Sequence, residues 1–192
     1  MNKTPAPPWE WVRHEPAGAR IKNGALELQA MSGSLWGKHN VARNLLVRPS
    51  PFPAGEPFAI EVRLNFAPRS QAEQAGLMIY FDDANYVKVV REWLDGQRFI
   101  VMAVENNDEG KAVAKVPELA DTVTLRLTYR GQHVLADYRA ADGDAWKAVG
   151  RCELPAAGAG LKLGISAYGG PGEQARPARF SSFVVSRAVE QP

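Results

Sequence analysis

Residues 74–93, which read QAGLMIYFDDANYVKVVREW, hold two alternating runs of residues joined by a short polar segment. Leu77 and Ile79 alternate with other side chains in the first run, and Val87 and Val89 do so in the second. Alternation with a period of two predicts β-strands that each bury one face, and the intervening Asp-Asp-Ala-Asn predicts a tight turn. The stretch is therefore predicted to form an antiparallel β-hairpin packed on a core.

The same pattern continues on both sides of this hairpin. Residues 58–66 and 122–129 alternate apolar and polar side chains, as expected for strands with one buried face. Turn signals separate such runs at intervals of roughly ten residues, which is typical of a sandwich or jelly roll. These signals include Asn23-Gly24, Asp95-Gly96, Arg130-Gly131 and Asp142-Gly143. We predict an all-β fold, a two-sheet antiparallel jelly-roll sandwich.

Length and composition indicate one soluble domain. A chain of 192 residues suits a single β-sandwich, predicted over residues 1–192 with flexible ends at 1–8 and 188–192. The 23 basic and 21 acidic side chains are scattered, so charge offers no argument for nucleic acid or an anionic membrane as a partner. Because no apolar run resembles a signal peptide or a membrane span, we expect a cytoplasmic protein.

Motifs of the common catalytic and cofactor sites are absent from the sequence. It contains no G-x-S-x-G, H-E-x-x-H, Walker or dinucleotide-binding motif. The 3 histidines and the 1 cysteine, Cys152, have no partners at metal-ligand spacing. We expect no cofactor and no metal site. The oxygen-rich turn at Asn106, Asn107, Asp108 and Glu109 could hold a structural calcium ion, although we favour a solvated turn.

Charged residues of the hairpin divide between its two faces. Because the valines of the second strand face the core, Lys88 and Glu92 lie together on the opposite face. They are about 13 Å apart at ~3.3 Å per residue, which suits opposite ends of one bound sugar. Gln74 and Tyr80 of the first strand share that face. Arg91 continues the core face, and we expect it at the point where the strand leaves the core.

A resemblance to a known family extends over most of the chain. Its most specific part is the hairpin, from Gln74 to Glu92, with the following Asp95-Gly96. Weaker matches in the same order are Trp9, Trp11, Gly24 to Leu28, Leu35-Trp36, Asn44 to Val47, Phe58 to Val62, Tyr138 to Gly143, Trp146, Leu163 to Ile165 and Phe180 to Val185. In these residues the sequence resembles concanavalin A-like jelly rolls. The similar proteins are a domain-of-unknown-function family related to yeast regulators of enolase, and the C-terminal sandwich domain of bacterial β-xylosidases and arabinofuranosidases.

The resemblance implies one convex and one concave sheet, with carbohydrate bound on the concave face. In the xylosidases this domain is an accessory beside a catalytic propeller, which we do not expect in this chain. If the hairpin belongs to the concave sheet, Gln74, Tyr80, Lys88 and Glu92 would form the floor of a groove. Trp36 and His39 would then be its walls, contributed by loops. The alternative is a solvated convex face with cross-strand charge pairs.

Three functions are compatible with these residues. The first is a carbohydrate-recognition or accessory domain that binds a sugar or sugar-like ligand without catalysis. The second is a small sugar-active enzyme of glycosidase type, with Glu92 as general acid or base and Lys88 as its electrostatic partner. That role requires burial of Glu92 to raise its pKa. The third is a regulatory domain that binds a protein in the same groove or along a strand edge.

Overall fold

The computed structural model describes residues 6–154, 160–171 and 175–188, so most of the predicted flexible ends at 1–8 and 188–192 lie outside the described residues. These residues form fourteen strands: β1 Glu10–Val12, β2 Ala19–Lys22, β3 Ala25–Gln29, β4 Leu45–Pro49, β5 Phe58–Asn65, β6 Gln74–Asp82, β7 Asn85–Leu94, β8 Gln97–Asn106, β9 Glu109–Pro117, β10 Thr122–Arg130, β11 His133–Arg139, β12 Lys147–Glu153, β13 Lys162–Tyr168 and β14 Pro177–Arg187. A short 3-10 helix spans Pro16–Gly18. Within the described ranges, no helix has the length and apolar character needed to cross a membrane.

The strands form two antiparallel sheets of seven strands each. The first, here called the hairpin sheet, has the order β1-β4-β13-β6-β7-β8-β9. The second, the back sheet, has the order β12-β11-β10-β5-β14-β3-β2. Strands distant in the sequence are neighbours in both sheets, as in β13 beside β6 and β14 beside β5. The prediction of an all-β two-sheet sandwich is confirmed.

The main core lies between the two sheets and is built from the inward faces of alternating strands. Leu77 and Val89 of the hairpin sheet are opposite each other in register and are fully buried. Ile60 and Leu127 contribute from the back sheet to the same cluster. Each such aliphatic side chain stabilises the fold by about 1.5–3 kcal/mol when fully buried. The face of the hairpin predicted to meet the core does so.

The outer face of the hairpin sheet is also covered over part of its area. Residues 30–44, between β3 and β4, form a loop that packs on this face and is here called the covering loop. Its Leu35 and Ala42 join Val47 and Met78 in a second buried apolar cluster. Strands β6 and β7 are consequently buried on both faces along most of their length. This double coverage places polar residues of the outer face in a recess rather than on an open surface.

Arg91 does not lie where the strand leaves the core. Its side chain is fully buried, because the segment between β9 and β10 covers this end of the sandwich. Nη2 donates a hydrogen bond to the Glu118 carbonyl at 3.0 Å, whereas Nε and Nη1 have no hydrogen-bond partner in the described part of the chain. Burial lowers the pKa of Arg91 to about 10, with a contribution from the nearby positive charge of Arg98.

Candidate functional site

Lys88 lies on the floor of a cleft of about 270 Å³ in the outer face of the hairpin sheet. Only 3% of its surface is exposed. Its Nζ donates to Gln74 Oε1 at 2.8 Å and to the Tyr168 hydroxyl at 2.9 Å. No ion pair of the described residues includes Lys88. The cleft thus contains a buried cation held by neutral hydrogen-bond acceptors.

Three aromatic rings surround this ammonium group. The distances from Lys88 Nζ to the ring centroids are 5.4 Å for Tyr168, 5.5 Å for Trp36 and 5.7 Å for Tyr86. A cation within about 6 Å of an aromatic centroid is attracted by the negative face of the ring, and this attraction strengthens when the cation is desolvated. The rings therefore offset part of the cost of burying the charge.

Gln74 links Lys88 to Glu92. Gln74 of β6 and Glu92 of β7 are cross-strand partners. Gln74 Nε2 donates to Glu92 Oε1 at 3.0 Å, and Gln74 Oε1 accepts from Lys88 Nζ. One amide therefore fixes both charged groups. Burial raises the pKa of Glu92 above its ordinary value, and the positive charge of Lys88 opposes this rise.

Glu105 attaches the covering loop to the sheet beneath it. Its Oε1 accepts a hydrogen bond from the Gly37 backbone N–H at 2.7 Å. The Tyr86 hydroxyl lies 3.4 Å from Glu105 Oε2 and 3.1 Å from the Leu35 carbonyl, and it can donate to either oxygen. Burial raises the pKa of Glu105, opposed by its hydrogen bonds with Gly37 and Tyr86 and by the charge of Lys88. This carboxylate holds residues 35–37 in place.

Trp36 forms one wall of the cleft because Gly110 leaves room for its indole. A Cβ atom at position 110 would lie 2.6 Å from Trp36 Cε2, far inside van der Waals contact. The indole packs on this glycine of β9 and keeps 41% of its surface exposed. The other side of the cleft is lined by small or apolar residues, including Val101, Ala103 and Ala112. The cleft combines an exposed aromatic face, an apolar side and a polar floor.

Four of the six predicted ligand-binding residues come together here. Lys88, Glu92, Gln74 and Trp36 all line the cleft. Two others do not. Tyr80 is buried in the second apolar cluster, where its hydroxyl donates to Asp83 Oδ1 at 2.9 Å. His39 is exposed on the covering loop and does not line the cleft.

Other residues of the site were not predicted. Glu105 faces the same side of β8 as Ala103. The period-two pattern could therefore have predicted that Glu105 lies on the face of the cleft, once the β7–β8 pairing was known. Tyr168 reaches the site from β13, where it pairs with Gln74. Since no local pattern connects β13 to the hairpin, the sequence carried no signal for Tyr168. The sequence also carried no signal for the role of Gly110, because a glycine near a turn is ordinarily assigned to the turn.

The turn considered for calcium joins β8 to β9. Asn107 and Asp108 have positive φ angles of 52° and 63°, as in a tight hairpin turn. The Asn107 N–H donates to Asn85 Oδ1 at 3.1 Å, and the Asp108 N–H donates to the Ala84 carbonyl at 3.2 Å. These bonds tie the turn to the neighbouring β6–β7 turn. Across residues 6–154, 160–171 and 175–188, no group of three or more His, Cys, Asp and Glu side chains is arranged to hold a metal ion.

The sequence of the chain matches one protein family over most of its length. Residues 42–188 match the family described as "Protein of unknown function (DUF1349)". The chain belongs to this family. The expected relationship to a domain-of-unknown-function family is therefore confirmed. No curated protein matches the chain in sequence.

Solved structures with the same fold include two bacterial proteins and one yeast protein. The GH43 protein BlXynB from Bacillus licheniformis has a TM-score of 0.86 and 21% identity, over 96% of this chain and 38% of that one. The xylan β-1,4-xylosidase from Bacillus halodurans C-125 has a TM-score of 0.77 and 19% identity, over 90% of this chain and 35% of that one. A functionally unknown protein from Saccharomyces cerevisiae has a TM-score of 0.74 and 17% identity, over 95% of this chain and 97% of that one. The chain thus spans little more than a third of the two bacterial proteins, and the likeness at these identities establishes the fold.

Proposed function

We propose that the chain is a carbohydrate-recognition domain whose ligand occupies the cleft above Lys88. The observation that carries this proposal is the half-exposed Trp36 indole beside the buried series Lys88, Gln74 and Glu92. A sugar ring has an apolar face of C–H groups and an edge of hydroxyls. It can therefore stack on an indole while charged groups bind its hydroxyls.

The polar floor is prepared to accept and donate hydrogen bonds. An ammonium group has three donors, and Lys88 uses two of them on Gln74 and Tyr168. The third N–H is available for a ligand oxygen. Glu92 Oε1 accepts from Gln74, and because Glu92 lines the cleft its carboxylate can also accept a hydrogen bond from a ligand hydroxyl. Bonds of this charge-assisted type are about twice as strong as neutral ones.

The geometry favours binding over glycoside hydrolysis. Glycosidases of the usual kind need two carboxyl groups, about 5–5.5 Å apart for retention or about 6.5–9.5 Å apart for inversion. The cleft is lined by Glu92 alone among acidic residues. Glu105 on β8 pairs in register with Tyr86, so its backbone position is about 20 Å from that of Glu92 along the strands at ~3.3 Å per residue, and it does not line the cleft. Glu105 also already holds the covering loop.

Two structural neighbours guide the choice of ligand. They are a GH43 protein and a xylan β-1,4-xylosidase. Within this proposal, xylose and β-1,4-linked xylo-oligosaccharides are the first sugars to examine, and the domain acts as an accessory to carbohydrate processing rather than as the catalyst.

Isothermal titration calorimetry against xylose, xylo-oligosaccharides and a panel of methyl pyranosides tests the proposal. We expect Trp36→Ala and Lys88→Met to weaken binding by at least about tenfold, since each removes one of the two kinds of contact. Trp146→Ala is the matched control, because Trp146 stacks with Arg126 and Arg139 of the back sheet. The Trp146→Ala variant should bind each sugar with the affinity of the wild type.

Two results would contradict the proposal. One is sugar binding that is unchanged in both Trp36→Ala and Glu92→Ala. The other is no heat of binding with any sugar, which would favour the protein-interaction hypothesis instead. The enzyme hypothesis has its own assay, the release of nitrophenol from aryl glycosides, and turnover that depends on Glu92 would restore it.

A further inference from the structure

We infer that the cleft takes the terminal residue of a sugar chain rather than a run of internal residues. This inference rests on the proposed carbohydrate function and specifies the part of the ligand that is bound. It is carried by the shape of the cleft, which is closed at one end, and by the places of its aromatic and polar groups.

The covering loop closes the sheet face beside Lys88. Leu35 and Ala42 of this loop pack on Val47, Met78 and Tyr86, so the outer surfaces of β4, β6 and the start of β7 are covered by protein. A polysaccharide lying across the whole sheet would have to displace this apolar cluster. The opposite side of the cleft runs toward β9, the edge strand of the sheet, through Ala103 and Ala112. A sugar chain can therefore enter from the β9 edge and must end at Lys88.

The cleft has room and stacking surface for one ring. Trp36 and Tyr168 are its only aromatic lining residues within the described ranges, and Tyr168 is fully buried beneath Lys88. A second sugar ring that stacked in the same way would need a second exposed aromatic face, which the described lining of the cleft does not provide. The volume of about 270 Å³ is just below the usual ~300–1,000 Å³ of small-molecule sites.

The polar groups form one series on the floor of the cleft that meets the covering loop at Lys88. Lys88, Gln74 and Glu92 are buried and joined by hydrogen bonds, whereas Val101, Ala103 and Ala112 make the open side apolar. A ring at the closed end has its terminal hydroxyls within reach of the ammonium and carboxylate groups. An internal ring has no free hydroxyl at the linkage positions, so it offers fewer hydrogen bonds to the ammonium and carboxylate groups than a terminal ring does.

Calorimetry with sugars of increasing length tests this inference. The probes are xylose to xylohexaose and glucose to cellohexaose, each titrated into the full chain. Terminal recognition predicts one protein bound per sugar chain at every length, and an affinity that stops rising after about two rings. If the number of protein molecules bound per sugar chain increases with the length of the sugar, the inference is overturned while the proposed carbohydrate binding stands. No binding by any probe would instead overturn the proposed function.

Blocked chain ends provide a second measurement. Xylotriose reduced to its alditol alters one end, and xylotriose methylated at O4 of the non-reducing ring alters the other. One of these two changes should lower affinity by at least about tenfold, because it places the modified group against Lys88 and Glu92. Equal affinity for the unmodified and both blocked trisaccharides would overturn the inference.

A variant at the cleft mouth separates the bound ring from the rest of the chain. Ala112→Phe on β9 should weaken xylotriose binding at least about tenfold more than it weakens xylose binding, because the added bulk obstructs the outgoing sugar chain more than the bound ring. Ala148→Phe is the matched control on β12, the edge strand of the back sheet. Ala148→Phe should change the affinity for neither xylose nor xylotriose. Equal weakening of xylose and xylotriose by Ala112→Phe would contradict the proposed exit over β9.

Discussion

Lys88 is a cation buried without an ion pair, and its neighbours explain how the fold tolerates it. Taking an ammonium group out of water costs several kcal/mol in proteins. Two hydrogen bonds to Gln74 and Tyr168, each about 1.5–3 kcal/mol for a charged donor, offset part of this cost. Three aromatic rings within 6 Å contribute further attraction. These contacts hold the Lys88 side chain inside the recess.

Removal of the Lys88 charge should shift the titration of Glu92. The pKa of Glu92 is raised by burial and lowered by Lys88. We therefore expect the Lys88→Met variant to raise the pKa of Glu92 further. Carbon-detected NMR of the side-chain carboxyl group measures this directly. Lys115→Met, which removes an exposed lysine paired with Asp95, is the control, and an unchanged Glu92 pKa in both variants would contradict the assignment.

Glu92 should also make stability depend on pH. Its pKa is higher in the folded protein than in the unfolded chain, because burial disfavours the carboxylate. Between about pH 4.5, the pKa in the unfolded chain, and the higher pKa in the folded protein, the folded state holds more protons than the unfolded state. The free energy of unfolding therefore falls as pH rises through that window. Glu92→Gln should reduce this fall. Urea unfolding at several pH values measures it, and identical pH profiles for wild type and variant would refute it.

Arg91 is predicted to be replaceable by an apolar side chain of similar length. Its guanidinium group is fully buried, and Nε and Nη1 have no hydrogen-bond partners in the described part of the chain. Arg91→Met removes these unpaired donors and preserves most of the volume, so its free energy of unfolding should equal or exceed that of the wild type. Arg91→Ala leaves a cavity and should lose about 2–5 kcal/mol. Equal losses for both variants by chemical denaturation would contradict this explanation.

At the scale of elements, the covering loop converts one half of a sheet face into a cleft. The loop is held by an apolar contact of Leu35, by the Glu105 carboxylate and by the packing of Trp36 on Gly110. Two of these attachments belong to the β8–β9 hairpin, which also provides the apolar side of the cleft. The position of the Trp36 wall thus depends on strands that lie next to the ligand.

Gly110→Ala should displace Trp36 without unfolding the sandwich. The added methyl would lie 2.6 Å from both Trp36 Cε2 and Glu105 Oε2, so the indole must move, at a cost of about 1–3 kcal/mol. Sugar affinity should fall by at least about tenfold because the stacking surface moves with it. Gly160→Ala, where no atom of the described residues lies within 4 Å of the new methyl, is the control. Unchanged affinity in Gly110→Ala would indicate that Trp36 does not contact the ligand.

At the scale of the whole molecule, the two sheets depend on one core. Phe58, Leu64 and Leu125 of the back sheet share a buried cluster with Leu77 and Val89 of the hairpin sheet. Neither sheet can keep its inner face away from water without the other. Strand neighbours that are far apart in the sequence, such as β14 and β5, bind the ends of the chain into the same unit.

The sandwich should therefore unfold in a single cooperative transition. Tryptophan fluorescence reports on the covering loop and both sheets, since Trp36, Trp93 and Trp146 lie in different parts of the fold. Far-ultraviolet circular dichroism reports on all strands. The two signals should have the same denaturation midpoint in urea. Separate midpoints would show that one sheet or the covering loop unfolds independently of the rest.

The local pattern of residues determined much of this protein without reference to its tertiary structure. Period-two alternation was sufficient to place β6 and β7, their turn, and the side of the hairpin on which Gln74, Lys88 and Glu92 lie. Alternation carries this information because successive side chains of a strand point to opposite faces of the sheet, whatever the sheet contacts. The spacing of the turn signals and the resemblance to jelly rolls both predicted the sandwich, which the structure confirms.

Only the tertiary structure decided that this face is a cleft. It brought Tyr168 from β13 and Trp36 from the covering loop onto Lys88, placed Arg91 under the segment after β9, and carried Tyr80 and His39 away from the site. These outcomes depend on contacts between residues far apart in the sequence. Alternation reports which side of a strand a residue occupies, but burial of that side depends on what the rest of the chain packs against it.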